Sequence, residues 1–134
     1  MKKVVFAALC MIAVPAVSLA AEGIRDGQWE MTTQMEMPGM PAKMKPAVMR
    51  HCYSKNDVLD QKKIISRDKN CTITDMKKTG NKMIWAMKCT GPNAGTMNGE
   101  TVFTPDSYTS TMHMKTQGQK VTMKVKGKRL GDCK

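Results

Sequence analysis

The sequence predicts an all-β fold: a single antiparallel meander of about six strands, forming a curved sheet or a barrel-like one, with one short helix and two disulfides. Apolar and polar residues alternate with a period of two through most of the chain beyond residue 20. Short turns rich in Gly, Pro, Asn and Asp separate the alternating segments. Four of the five cysteines lie in that same region, enough for two covalent staples.

Residues 1–20 read as a signal peptide and 21–134 as a single β-rich domain. Lys2 and Lys3 supply a positive n-region, Val4 to Val17 an apolar h-region, and Ser18-Leu19-Ala20 a small-x-small cleavage site. The apolar run is too short to span a bilayer, and no stop-transfer pattern follows it. Leu9 stands where a lipoprotein signal wants a small residue before its cysteine, so Cys10 is expected to leave with the leader. The mature chain is then expected in the periplasm, an oxidising compartment where Cys52, Cys71, Cys89 and Cys133 pair.

The first strand is expected over Gly27 to Met37, with Trp29, Met31, Thr33, Met35 and Met37 on one face and Glu30, Thr32, Gln34 and Glu36 on the other. Pro38-Gly39-Met40-Pro41 ends it, because proline cannot donate to a ladder. A loop runs through Pro46, and a second strand spans Val48 to Tyr53. Ser54 is placed to cap a brief helix reaching about Gln61, with Asp57 favouring its first turn.

Cys71 to Lys77 and Lys82 to Thr90 form a predicted hairpin around Thr79-Gly80-Asn81. With Gly80 at the centre of a three-residue loop, Ile73 faces Met87 and Cys71 faces Cys89, whereas a slip of one residue would part the cysteines. This register favours Cys71 with Cys89 and Cys52 with Cys133, though the count alone allows three connectivities. Thr96 to Thr104, Tyr108 to Thr116 and Val121 to Lys128 complete the strands. Their inward faces carry Met97, Gly99, Thr101 and Phe103, then Tyr108, Ser110, Met112 and Met114, then Val121, Met123 and Val125.

Several of these elements together resemble a known family. Gly27-Gln28-Trp29-Glu30, Met35-Glu36-Met37-Pro38-Gly39-Met40-Pro41, the strand ending in Cys52, Cys71-Thr72-Ile73-Thr74-Asp75, Trp85 to Cys89 and the terminal Gly127 to Cys133 look like the exported bacterial family catalogued as domain of unknown function 3617. The resemblance covers essentially all of the mature chain. It implies an envelope location and a small β-rich domain, and it carries over no catalytic residue.

Of the 15 methionines, all but Met1 and Met11 lie beyond the leader, beside only five aromatic residues there: Trp29, Tyr53, Trp85, Phe103 and Tyr108. Thioethers are flexible and polarisable, and suit an adaptable apolar surface. The expected function is therefore a non-enzymatic binding domain whose ligand face comprises Trp29, Met31, Met35, Met37, Trp85, Met87, Met112 and Met114. Its partner would be a small apolar ligand or an envelope protein.

A second reading is Cu(I) or Ag(I) handling, since thioether sulfur is a soft, neutral ligand. Met40, Met44, Met49 and His51 are its most accessible metal ligands, and copper would be the only cofactor. In Met112-His113-Met114 the alternation turns His113 away from both methionines. Zinc or thiol redox chemistry is disfavoured, because no Cys-x-x-Cys pair occurs. Only His51 and His113 are available for nucleophilic catalysis, and neither lies in a recognisable catalytic context.

The formal net charge is +11, from 22 basic and 11 acidic residues. Loss of Lys2 and Lys3 with the leader would leave about +9. Lys120, Lys124, Lys126 and Lys128 with Arg129 form a stripe that either protects a terminal edge strand or adheres to an anionic lipid or polymer. A structural envelope protein held by that strand is a third reading. Aromatic residues do not interleave with the lysines, which argues against nucleic acid.

Overall fold

The structure is a computed structural model that describes residues 23–40, 44–66 and 68–134. The predicted leader with Cys10, and Pro41 of the predicted loop, lie outside the described residues.

Seven strands form one open antiparallel sheet: β1 (Gly27–Glu36), β2 (Ala47–Tyr53), β3 (Cys71–Thr79), β4 (Lys82–Cys89), β5 (Gly95–Phe103), β6 (Ser107–Thr116) and β7 (Gln119–Gly131). Their spatial order is β2-β1-β7-β6-β5-β4-β3. Only β3 to β7 follow one another as a meander. The β1–β2 hairpin is added to β7, so the last strand pairs with the first and the edges fall to β2 and β3.

β7 is thus an interior strand, bonded to β1 on one side and β6 on the other. The expectation that its lysines guard a sheet edge is corrected: the terminal element in sequence is not terminal in space.

Where one helix to about Gln61 was expected, two five-residue helices occur, α1 (Lys55–Leu59) and α2 (Gln61–Ile65). Ser54 begins α1 with a capping box: its Oγ accepts from the Asp57 N–H at 3.2 Å, and its own N–H donates to Asp57 Oδ2 at 3.0 Å. Asp60 divides the two helices. Its N–H donates to the Asn56 carbonyl while its carboxylate accepts from the Lys62 N–H, ending one helix and capping the next. Together α1 and α2 lead from one edge strand to the other.

The β3–β4 hairpin brings Cys71 opposite Cys89 by a route that differs from the expected one. Thr79 pairs with Lys82 across a two-residue turn, in which Gly80 takes φ 58°. That register alone would put the cysteines out of step. A bulge between Ile73 and Asp75 absorbs one residue, Thr74, and restores Ile73 to Met87 and Cys71 to Cys89.

The core lies on one face of the sheet, here called the inner face. Trp29, Trp85, Phe103 and Met83 are fully buried there, with Tyr53, Tyr108 and Met87 around them. Full burial of Phe103 or Met83 contributes on the order of 2 kcal/mol. Val58, Ile64 and Ile65 pack onto the same cluster, so the two helices cover part of this face. Ile24 is also buried, and the Trp29 Nε1–H donates to the Arg25 carbonyl at 3.0 Å, which docks the segment before β1.

The disulfides join Cys52 to Cys133 and Cys71 to Cys89, with Cα separations of 5.7 and 4.0 Å. The first ties edge strand β2 to the chain beyond β7, and the second ties edge strand β3 to β4. Each open edge of the sheet is therefore covalently held.

Candidate functional site

Period-two alternation delivers methionines to the inner face in register. Met114 pairs with Met97, Met97 with Met87, and Met87 with Ile73, giving an apolar row across β6, β5, β4 and β3. A second row sets Met35 beside Met123 and Met123 beside Met112. Gly99 follows Met112 in that row, and Trp85 follows Gly99. A Cβ on Gly99 would come 2.6 Å from Trp85 Cζ2, so the indole lies across the glycine.

The row nearest the disulfide stays open. A cavity of about 560 Å³ lies among Met87, Met97, Met114, Ile65 and the Cys71–Cys89 bridge. Ser66, Asp68, Thr116 and Gln117 add polar groups to its wall. The thioethers are only partly covered at Met97 and Met114, so the wall can adapt its shape.

The eight expected ligand-face residues divide into three groups. Trp29, Trp85 and Met87 are buried; the first two are core, and only Met87 also borders the cavity. Met31, Met112 and Met114 are half-buried, and Met114 joins Met87 at the cavity. Met35 is exposed, while Met37 lies past the end of β1 in a different groove of about 400 Å³ with Pro38, Met40 and Lys120. The structure adds Met97 and Ile65 to the cavity wall. Met97 was legible as an inward residue, but Ile65 depends on a second helix that the pattern did not show.

The proposed metal ligands are spread along the β1–β2 hairpin. Met40, Met44 and Met49 are 53, 44 and 62% exposed. Met49 and His51 point to the same side of β2, and the His51 ring packs edge-on to Tyr53 with centroids 4.7 Å apart. His113 faces the outer side, where its Nδ1 lies 3.1 Å from Thr122 Oγ1, away from Met112 and Met114. Among the described residues no group of three or more His, Cys, Asp or Glu side chains is arranged to hold a metal ion.

Away from the cavity the inner face is sealed by a polar relay and an aromatic cluster. The Trp85 Nε1–H donates to Thr101 Oγ1 at 3.2 Å, and Thr101 Oγ1 lies 2.8 Å from Ser110 Oγ. Tyr108 lies between Trp29 and Phe103, with ring centroids at 5.7 and 6.3 Å and ring planes tilted by 33° and 50°. Burial pushes its phenol well above the ordinary range, with contributions from Tyr53 beside it.

The family model described as Protein of unknown function (DUF3617) matches residues 24–133. The chain belongs to that family. No curated protein and no solved structure matches it. The matched span opens at Ile24, which enters the core, and closes at Cys133, which makes the second disulfide. Family membership therefore covers the entire sheet and both covalent staples.

Proposed function

We propose that the mature chain is an exported, non-enzymatic binding domain that takes a small apolar ligand in the methionine-lined cavity of its inner face. The observation that carries this reading is the cavity itself: about 560 Å³, walled by Met87, Met97, Met114, Ile65 and a disulfide. That volume lies within the roughly 300–1,000 Å³ of small-molecule sites, which combine an apolar wall with few polar groups. Export to the periplasm is supported by the leader anatomy of residues 1–20 and by the two disulfides, which persist in oxidising compartments. No helix among the described residues is long and apolar enough to cross a membrane.

The test is titration of the oxidised chain with an environment-sensitive apolar probe, 1-anilinonaphthalene-8-sulfonate, followed by fluorescence. Binding is expected to saturate at one site and to be lost when Met97→Trp fills the cavity. Equal binding by wild type and Met97→Trp would end this reading. Sequencing the amino terminus of protein recovered from the periplasmic fraction tests export, with a start near Ala21 expected.

The exposure of Met40, Met44 and Met49 favours the second reading, soft-metal capture on the β1–β2 hairpin. Titration with Cu(I) under reducing conditions, comparing wild type with the Met40, Met44, Met49 triple alanine variant, separates it from the first. Equal weak affinities would exclude metal capture while leaving the cavity reading untouched.

A further inference from the structure

The outer face of the sheet carries a line of positive charge that the inner cavity does not use. Lys120, Lys124, Lys126 and Lys128 project from the outer side of β7, an interior strand. Steps of two residues set Lys124, Lys126 and Lys128 roughly 6.7 Å apart. Lys115 extends the line on β6, directly opposite Lys120. Like charges placed opposite each other across a ladder are destabilising, and no sheet edge is protected in return.

Three carboxylates of this face are engaged in ion pairs, one of them with a lysine of the line itself. Glu30 pairs with Arg50 at 3.0 Å, Glu36 with Lys124 at 2.8 Å, and Glu100 with Lys82 at 2.8 Å. Among the described residues Lys115, Lys120, Lys126 and Lys128 have no carboxylate partner. Lys126 lies between Thr32 and Thr109, and Lys128 between Ser107 and Glu30, whose carboxylate is bonded to Arg50 on its far side. The result is a charged ribbon along β7, joined at one end by Lys115 of β6, with hydroxyl groups beside it.

We infer that this ribbon binds a linear polyanion, its ammonium groups meeting successive sulfate, phosphate or carboxylate groups along the chain. A narrow line of cations along one strand is complementary to a single extended anionic strand. A flat bilayer would instead engage a broad basic patch. Thr32, Thr109 and Ser107 supply hydrogen bonds to the same anionic groups.

Heparin, a linear sulfated polysaccharide, is the probe. Binding of the full oxidised chain is measured by isothermal titration across a salt series, with circular dichroism and thermal unfolding confirming that each variant folds. The Lys120→Gln, Lys126→Gln, Lys128→Gln triple variant is expected to bind at least about tenfold more weakly, with a shallower salt dependence. A control of identical charge, Lys62→Gln, Lys63→Gln, Lys69→Gln, is expected to change affinity less than twofold. Equal weakening by both triples would reduce the effect to net charge and overturn the inference. Binding to phosphatidylglycerol vesicles without binding to heparin would overturn it in favour of a membrane surface.

Discussion

The indole of Trp85 on β4 crowds Gly99 on the neighbouring β5, so closely that a Cβ on Gly99 would stand 2.6 Å from Cζ2 and 2.9 Å from Cε2. The same relation recurs at Tyr108, whose ring covers Gly127 across β6 and β7. In both pairs the glycine supplies the room and the aromatic neighbour supplies the apolar area that the glycine lacks. The Trp85 position also fixes its hydrogen bond to Thr101, and so the buried link from Thr101 to Ser110.

Gly99→Ala is expected to displace Trp85 and lower stability by about 1–3 kcal/mol, the usual range for overpacking a filled core. Urea denaturation followed by tryptophan fluorescence measures it, and the folded emission should shift red as the indole loses cover. An alanine variant as stable as wild type would show that the ring is not confined by the glycine.

Tyr108 makes stability depend on alkaline pH. Its phenol is held protonated in the folded chain, while in the unfolded chain it ionises near the ordinary value of 10.0. A raised folded value means that this contribution is fully present below about pH 10 and is lost as pH rises further. The slope reaches about 1.4 kcal/mol per pH unit. Tyr108→Phe is expected to be less stable at pH 7 and to show a shallower alkaline decline. Denaturation midpoints between pH 8 and pH 11 check both the sign and the slope.

The two disulfides should contribute unequally. Cys52 and Cys133 are separated by 81 residues in sequence, Cys71 and Cys89 by 18. On the chain-entropy account, removal of the first pair by alanine substitution costs about 4.5 kcal/mol and removal of the second about 3 kcal/mol. Denaturation of the two double variants tests the order. A larger loss at Cys71 and Cys89 would mean that packing of the buried Cys89 outweighs loop closure.

The β6–β7 turn offers a stabilising change. Gln117 and Gly118 adopt φ 45° and 79°, the pattern of a type I′ turn, in which Asn-Gly is preferred. Gln117→Asn is expected to raise stability by about 0.5–1 kcal/mol, since Asn tolerates left-handed backbone better than Gln. A rise in the thermal midpoint measures it. Because this turn borders the cavity through Gln117, unchanged probe binding would separate turn strain from ligand contact.

Much of the site was legible from alternation, because a period of two assigns each side chain to a face without reference to any neighbour. Met87, Met97 and Met114 were placed inward correctly on that basis. Which of them would be sealed and which left open was not legible, since closure depends on α2, Ile65 and the aromatic cluster beside it. The Cys71–Cys89 pairing was anticipated through an assumed three-residue loop. The chain reaches the same pairing by a tighter turn and a bulge at Thr74, a compensation that no turn rule anticipates.

Local pattern was sufficient for the strands, the Ser54 cap and the sulfur-rich inner face, because each depends on residues close together along the chain. Packing in three dimensions decided that β7 joins β1, that β2 and β3 become the edges, and that the lysine line stands on an interior strand. The reason is physical: alternation specifies a strand's two faces but leaves its neighbours to be chosen by long-range burial, here of Trp29, Tyr53 and Tyr108 in a single cluster.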